Sequence, residues 1–140
     1  MTTRRQELEG AIDAILNAPG YRKLGATWRL DRGEVIAVVN LQKSSYADDF
    51  YLNLGIYLKD AGSESRPTEA QCHIRWRPVT HAGGVLPTDV ASVQLLLQEI
   101  GLPWLSALSS RERIAQFLQS NESREFLIHR DVRKWAGLGA

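Results

Sequence analysis

Three side chains that could hold an anion recur at every second position of one segment. His73, Arg75 and Arg77 are separated by single residues, so an extended strand would point all three to the same face. Each guanidinium can donate paired hydrogen bonds to a carboxylate or phosphate, and the imidazole can titrate near neutral pH. These residues therefore predict an anion-binding group. The alternative is a structural network with internal carboxylates, for which the candidates are Asp31, Glu34 and Glu69.

Further hydrogen-bonding side chains fall on the same side of neighbouring segments. They are amides, an aromatic hydroxyl and guanidiniums, which suit planar polar partners better than the Thr, Lys and Glu of an ordinary solvated face. The candidate binding residues are Arg29, Asn40, Gln42, Tyr51, Asn53, His73, Arg75 and Arg77. They predict a binding surface or a shallow cleft. The alternative is a solvated face, or one covered by a loop or by a second copy of the chain.

Motifs for other chemistry are missing from the sequence. The three histidines, at positions 73, 81 and 129, have no metal-ligand spacing, and Cys72 has no second cysteine beside it. We expect Cys72 on the apolar face, pointing away from His73, because adjacent strand residues face opposite ways. Gly83-Gly84 lacks the pattern of a phosphate-binding loop. The sequence therefore predicts no catalytic residue, no metal site and no cofactor.

Four strand-like segments must position these side chains. Apolar and polar residues alternate over 28–31, 50–59 and 71–77, and residues 34–43 are rich in β-branched side chains, which predicts four strands joined as an antiparallel meander. A tight turn at Arg32-Gly33 would place Leu30 opposite Val35. One face would be apolar, formed by Trp28, Leu30, Val35, Ala37, Val39, Leu41, Phe50, Leu52, Leu54, Ile56, Leu58, Cys72, Ile74 and Trp76. We expect Gly55, in mid-strand, to admit Trp28 or another aromatic ring, or to shape a bend.

Helical periodicity surrounds the strands on both sides. A helix is predicted over 4–18, and a second one is capped by Thr88 and ended by Gly101. Pro103 begins a short helix, Ser109 and Glu112 form a capping box for the next, and Ser123 caps a last one that contains Phe126 and Leu127. The predicted fold is α+β: a four-stranded antiparallel meander with an N-terminal helix and three to four C-terminal helices packed on one face. Residues 1–140 are expected to form a single domain.

Composition excludes several classes of function. The 140 residues carry a net charge of +1, which gives no general attraction for nucleic acid or an anionic membrane. RNA binding through Tyr51, Tyr57 and the arginines is disfavoured on the same ground. No segment has the 20 or so apolar residues of a membrane span, and no signal peptide is recognised. A single cysteine suits a reducing compartment, so we expect a cytoplasmic protein.

Several segments resemble a bacterial family, the domain of unknown function 4304. They match in order its opening, its "vnlQkS", "fyiNlGi" and "CHiRiR" segments and a late "lPwl" segment, and here they are residues 20–28, 39–44, 50–56, 72–77 and 102–105. The paired tryptophans that many members carry downstream are absent from residues 80–89. The resemblance implies the fold and the motif positions, and it implies no reaction.

These observations predict a non-enzymatic binding module of the bacterial cytoplasm. A protein partner is expected, in an antitoxin-like, immunity-like or regulatory role, because small α+β domains without catalytic signatures often serve in this way. The alternative is a sensor or enzyme that uses the His73, Arg75 and Arg77 face on a small anion. A homodimer is left open.

Overall fold

The computed structural model describes residues 2–45, 47–78, 84–87, 89–120 and 126–138. Its centre is a six-stranded sheet in the order β1 to β6, in which every neighbouring pair is antiparallel. The strands are β1 (Arg22–Leu24), β2 (Thr27–Asp31), β3 (Val35–Lys43), β4 (Phe50–Leu58), β5 (Ile74–Trp76) and β6 (Leu127–Ile128). The predicted antiparallel meander is confirmed, but the prediction of four strands is wrong.

The two additional strands lie at the edges of the sheet. All three residues of β1 are exposed, so β1 has no apolar alternation to reveal it. The glycine at position 25 nevertheless indicates a turn. Gly25 has φ +63° and, with Ala26, forms the two-residue connection to β2. The other edge strand, β6, has only two residues, and it contains Leu127 from the segment predicted as helix.

The hairpin of β2 and β3 has a longer turn than predicted. Leu30 pairs with Ala37 rather than with Val35, so the register differs by two residues from the predicted one. A shift of two leaves every side chain on its face, because successive strand residues alternate with a period of two. The predicted division into an apolar and a polar face therefore survives the error in register.

Five helices are described, and they supply the cover for the apolar face. They are α1 (Arg4–Leu16), α2 (Val90–Leu96), α3 (Leu102–Ala107), α4 (Arg111–Leu118) and α5 (Val132–Trp135). The apolar strand residues and the helices share one buried core, in which Trp28 is fully enclosed. Its indole N–H donates to Asp13 Oδ1 at 3.1 Å, which attaches α1 to the sheet. Among the described residues, no helix is long and apolar enough to cross a bilayer.

The C-terminal helices differ from the prediction at their ends. Gly101 does not end a helix: a π-helical turn, Leu97–Gly101, joins α2 to α3 without a break. A wider turn is one way for a helix to continue past Pro103, which has no N–H to donate. Ser110 rather than Ser109 caps α4. The cap of α2 is Asp89, whereas Thr88 and Ser123 lie outside the described residues.

A loop crosses the opposite, polar face of the sheet. We call residues 62–72 the crossing loop; it includes a single 3-10 turn at Glu69–Gln71 and ends at Cys72. A Cβ placed on Gly55 would lie 2.6 Å from Cys72 Sγ, so the missing side chain of Gly55 lets the loop rest on β4. The predicted aromatic contact at Gly55 is wrong. So is the predicted place of Cys72, because β5 begins only at Ile74 and Cys72 packs with Ile36, Val38 and Tyr57.

We predict that Leu54→Ala lowers the free energy of unfolding by about 2–5 kcal/mol, the usual result of emptying a core site. Leu54 belongs to β4, and its side chain is fully buried in the core that the sheet shares with the helices. Leu24→Ala is the matched control, since Leu24 is 58% exposed and should change stability by less than about 0.5 kcal/mol. Chemical denaturation of both variants measures the difference, and equal losses would contradict the assigned core.

We predict that Gly55→Ala destabilises the fold by about 1–3 kcal/mol because the new methyl group overlaps Cys72. Removing the Cys72 side chain should relieve the overlap. In Cys72→Gly the same Gly55→Ala change should therefore cost at least about 0.5 kcal/mol less. If the losses of stability in this double-mutant cycle are strictly additive, contact with Cys72 is not the reason that residue 55 must be glycine.

Candidate functional site

The candidate binding residues lie on the polar face, but the structure distributes them over separate groups. Strand pairing places Asn40 beside Asn53 and Gln42 beside Tyr51. Arg77 follows β5 directly, and its side chain reaches this group. Arg29 lies on β2, toward the other edge of the sheet, and the crossing loop contacts it there through Pro67.

Five of the candidates form one connected network, which we call the Arg77 corner: Asn40, Gln42, Tyr51, Asn53 and Arg77. Arg77 donates from Nε to Asn53 Oδ1 at 2.8 Å and from Nη2 to Gln42 Oε1 at 2.9 Å. Asn53 Nδ2 donates to Gln42 Oε1 at 2.9 Å and to Asn40 Oδ1 at 3.1 Å. The guanidinium carbon lies 4.2 Å from the centre of the Tyr51 ring. These contacts hold the guanidinium in one orientation.

Charge distinguishes this corner from an ordinary buried network. Asn53 is only 5% exposed, so its amide is a fixed part of the sheet. Every contact that the structure gives the Arg77 guanidinium is with a neutral group, and among the described residues no carboxylate lies within ion-pair distance of it. The positive charge is therefore oriented by amide oxygens without being neutralised by them.

Arg75 is in the opposite situation. Its Nε and Nη2 donate to the two oxygens of Glu69 at 2.9 and 3.1 Å, a paired contact with a largely buried carboxylate. The hydrogen bond to Glu69 raises the pKa of Arg75, so the pair stays ionised. Glu69 belongs to the crossing loop. Arg75 therefore fixes this loop to β5, as the structural alternative expected.

His73 also contributes to the fold. Its Nδ1 accepts a hydrogen bond from the Leu58 N–H at 3.0 Å, which requires an unprotonated Nδ1 and hence a neutral imidazole. Its pKa is lowered, first by burial and then by the nearby His129, although a hydrogen bond with the Ala61 backbone acts in the other direction. Burial also disfavours the charged form of Cys72 and so raises the pKa of its thiol. Cys72 is therefore no thiolate nucleophile at neutral pH.

Arg29 joins a different set of charges. Its Nε donates to the Pro67 carbonyl at 2.8 Å, and its pKa is lowered first by burial and then by the charge of Arg66. Arg22 pairs with Arg29 across the β1–β2 ladder. Neither Arg22 nor Arg66 is among the candidate binding residues, because the sequence pattern predicts neither β1 nor a loop that crosses the sheet.

The position of the crossing loop also had a signal in the sequence. Thr68 and Gln71 have the spacing of a capping box, and both of its hydrogen bonds are present at the 3-10 turn. The turn prevents residues 71–73 from extending β5. Within the described part of the chain, no three His, Cys, Asp or Glu side chains gather as a metal-binding group.

The neutral state of His73 predicts a dependence of stability on pH. Because the folded pKa lies below the unfolded value, stability is fully present above the unfolded pKa of about 6.5 and falls as the pH drops through it toward the folded pKa. Urea unfolding at about pH 7.5 and pH 5.5 measures the loss. His73→Gln should be less stable at both values but should lose less stability between them. If His73→Gln loses as much stability as the parent between the two pH values, the neutral state of His73 is contradicted.

Comparison with known proteins identifies a family. The family model described as Domain of unknown function (DUF4304) matches residues 12–107, more than half of the chain. No curated protein and no solved structure matches the chain. The matched residues contain the complete Arg77 corner, the crossing loop and His73, and they confirm the resemblance found in the sequence. The chain therefore belongs to the DUF4304 family.

Proposed function

We propose that the domain is a protein-binding module and that its Arg77 corner binds a carboxylate of the partner. The observation that carries this proposal is the contrast between two arginines on one strand face. Arg75 has a carboxylate from its own chain, whereas Arg77 is held only by neutral groups among the described residues. An arginine that is oriented but not neutralised is suited to accept an anionic group from outside.

The chemistry of the corner supports a protein surface as the partner. Arg and Tyr are enriched at the centres of protein interfaces, where a stacked guanidinium loses little freedom on binding. Gln42 is exposed and Tyr51 is half-buried, so both can contact a partner that reaches Arg77. The amides then provide both donors and acceptors around the ion pair.

Binding rather than catalysis is also supported by the neighbouring groups. The Nδ1 atom of His73 already accepts a hydrogen bond from the Leu58 N–H, and the Cys72 thiol, at the end of the crossing loop, is buried. A small-anion sensor that uses His73, Arg75 and Arg77 together has weaker support, because Glu69 already occupies Arg75. The proposal extends to a bacterial, cytoplasmic protein with a regulatory or antitoxin-like role.

The test compares three variants that each remove one positive charge. Arg77→Gln removes the proposed contact, Arg75→Gln breaks the internal pair with Glu69, and Arg5→Gln alters an exposed position on α1. The probe is a Glu-rich peptide, and its binding is followed by NMR through the side-chain resonances of Arg77, Gln42 and Asn53. We expect Arg77→Gln to weaken binding by about tenfold or more, with the fold intact.

Arg5→Gln should bind within about twofold of the parent, which excludes a general effect of net charge. Arg75→Gln should lower the denaturation midpoint, because the buried Glu69 carboxylate loses its partner. Equal weakening by Arg5→Gln and Arg77→Gln would overturn the proposal. Saturation of the same resonances by free acetate as readily as by the peptide would favour the small-anion sensor instead.

A further inference from the structure

A second group of cationic side chains lines a cleft at the β1 edge of the sheet, away from the Arg77 corner. The cleft has a volume of about 640 Å³, and its lining includes apolar residues of β1, β2 and β3 and Lys23, whose ammonium group lies 3.6 Å from Glu9 Oε1. Three arginines, Arg22, Arg29 and Arg66, also line it. We call these three residues the arginine cluster. The volume lies within the range of about 300–1,000 Å³ that is usual for small-molecule sites.

The members of the arginine cluster come from two different parts of the chain. Arg22 on β1 is paired directly with Arg29 on β2, an arrangement in which like charges destabilise a sheet. Arg66 lies in the crossing loop, where its charge affects Arg29. The adjacent Pro67 carbonyl accepts the Arg29 Nε hydrogen and so orients that guanidinium at the cleft. Strand pairing and loop position thus bring three positive charges together.

No internal carboxylate compensates these charges among the described residues. Asp31 lines the cleft, but its oxygens accept from Lys59 Nζ at 2.9 and 3.1 Å and from the Gly33 N–H at 2.8 Å. The described ion pairs include none with Arg22, Arg29 or Arg66. Three arginines without an ion pair in the described part of the chain therefore line one cleft of a protein whose net charge is only +1.

We infer that this cleft is a binding site for a small phosphorylated molecule, whose phosphate group is held by Arg22, Arg29 and Arg66. A phosphate monoester carries close to two negative charges at neutral pH and three acceptor oxygens, which matches three arginines lining one cleft better than a single carboxylate does. Leu24, Leu30 and Ile36 provide apolar surface in the same cleft for the remainder of the molecule. This site is independent of the proposed function, because it shares no residue with the Arg77 corner.

The test uses a double variant and a control of equal charge. Arg22→Gln with Arg66→Gln removes two members of the arginine cluster and keeps the Arg29 bond to Pro67. Arg5→Gln with Arg133→Gln removes the same charge from exposed positions on α1 and α5. Calorimetric titration with glycerol 3-phosphate at constant ionic strength should show binding to the parent. The cluster variant should bind about tenfold or more weakly, and the control within about twofold.

Stability without ligand gives a second readout. The cluster variant should be at least as stable as the parent, because removing two of three like charges relieves repulsion. A clear loss of stability would mean that these arginines make structural pairs, and it would overturn the site. No binding by the parent at about 10 mM glycerol 3-phosphate would also overturn it.

Two further probes test the class of ligand. Citrate should bind the parent more weakly than glycerol 3-phosphate does, since carboxylates spread their charge over separate groups. A phosphoserine peptide or a DNA oligonucleotide that binds about tenfold more tightly than glycerol 3-phosphate would overturn the assignment to a small molecule. Loss of binding in the Arg77→Gln variant would place the phosphate at the other site and contradict the inference.

Discussion

The polar side of this protein depends on one close approach, that of Cys72 to the bare backbone of Gly55. A side chain at residue 55 would occupy the space of the Cys72 thiol, so only glycine lets the crossing loop lie on β4. Once there, the loop places Glu69 on Arg75 and the Pro67 carbonyl on Arg29. It thereby separates charges that the strands alone would leave on one continuous face.

This separation gives each cationic side chain a different electrostatic environment. Arg75 becomes half of an internal ion pair, Arg29 meets two further arginines, and Arg77 is oriented by amides and a tyrosine ring. An ion pair within the chain stabilises the loop, whereas a cation without one is available to an external anion. The same residue type on one sheet face thus stabilises the fold at Arg75 and is proposed to bind an external anion at Arg77.

The apolar side follows from simpler rules. Alternating residues on β2, β3 and β4 leave one face that must be covered, and the helices provide the cover that forms the core. The bond from Trp28 to Asp13 satisfies a buried indole and positions α1. Because an error of two in the β2–β3 register does not change the faces, the part of the core that β2, β3 and β4 contribute could be predicted from the pattern alone.

The sequence by itself determined the meander, its two faces and the polar character of the eight candidate residues, because these follow from local periodicity. It could not determine the edge strands: β1 has no buried residue, and the two residues of β6 are too few for a pattern. Only the tertiary structure decided which cations line the same cleft. Arg22 and Arg66 are distant in the chain from each other, and ion pairing depends on distances of a few ångströms that arise when the loop folds onto the sheet.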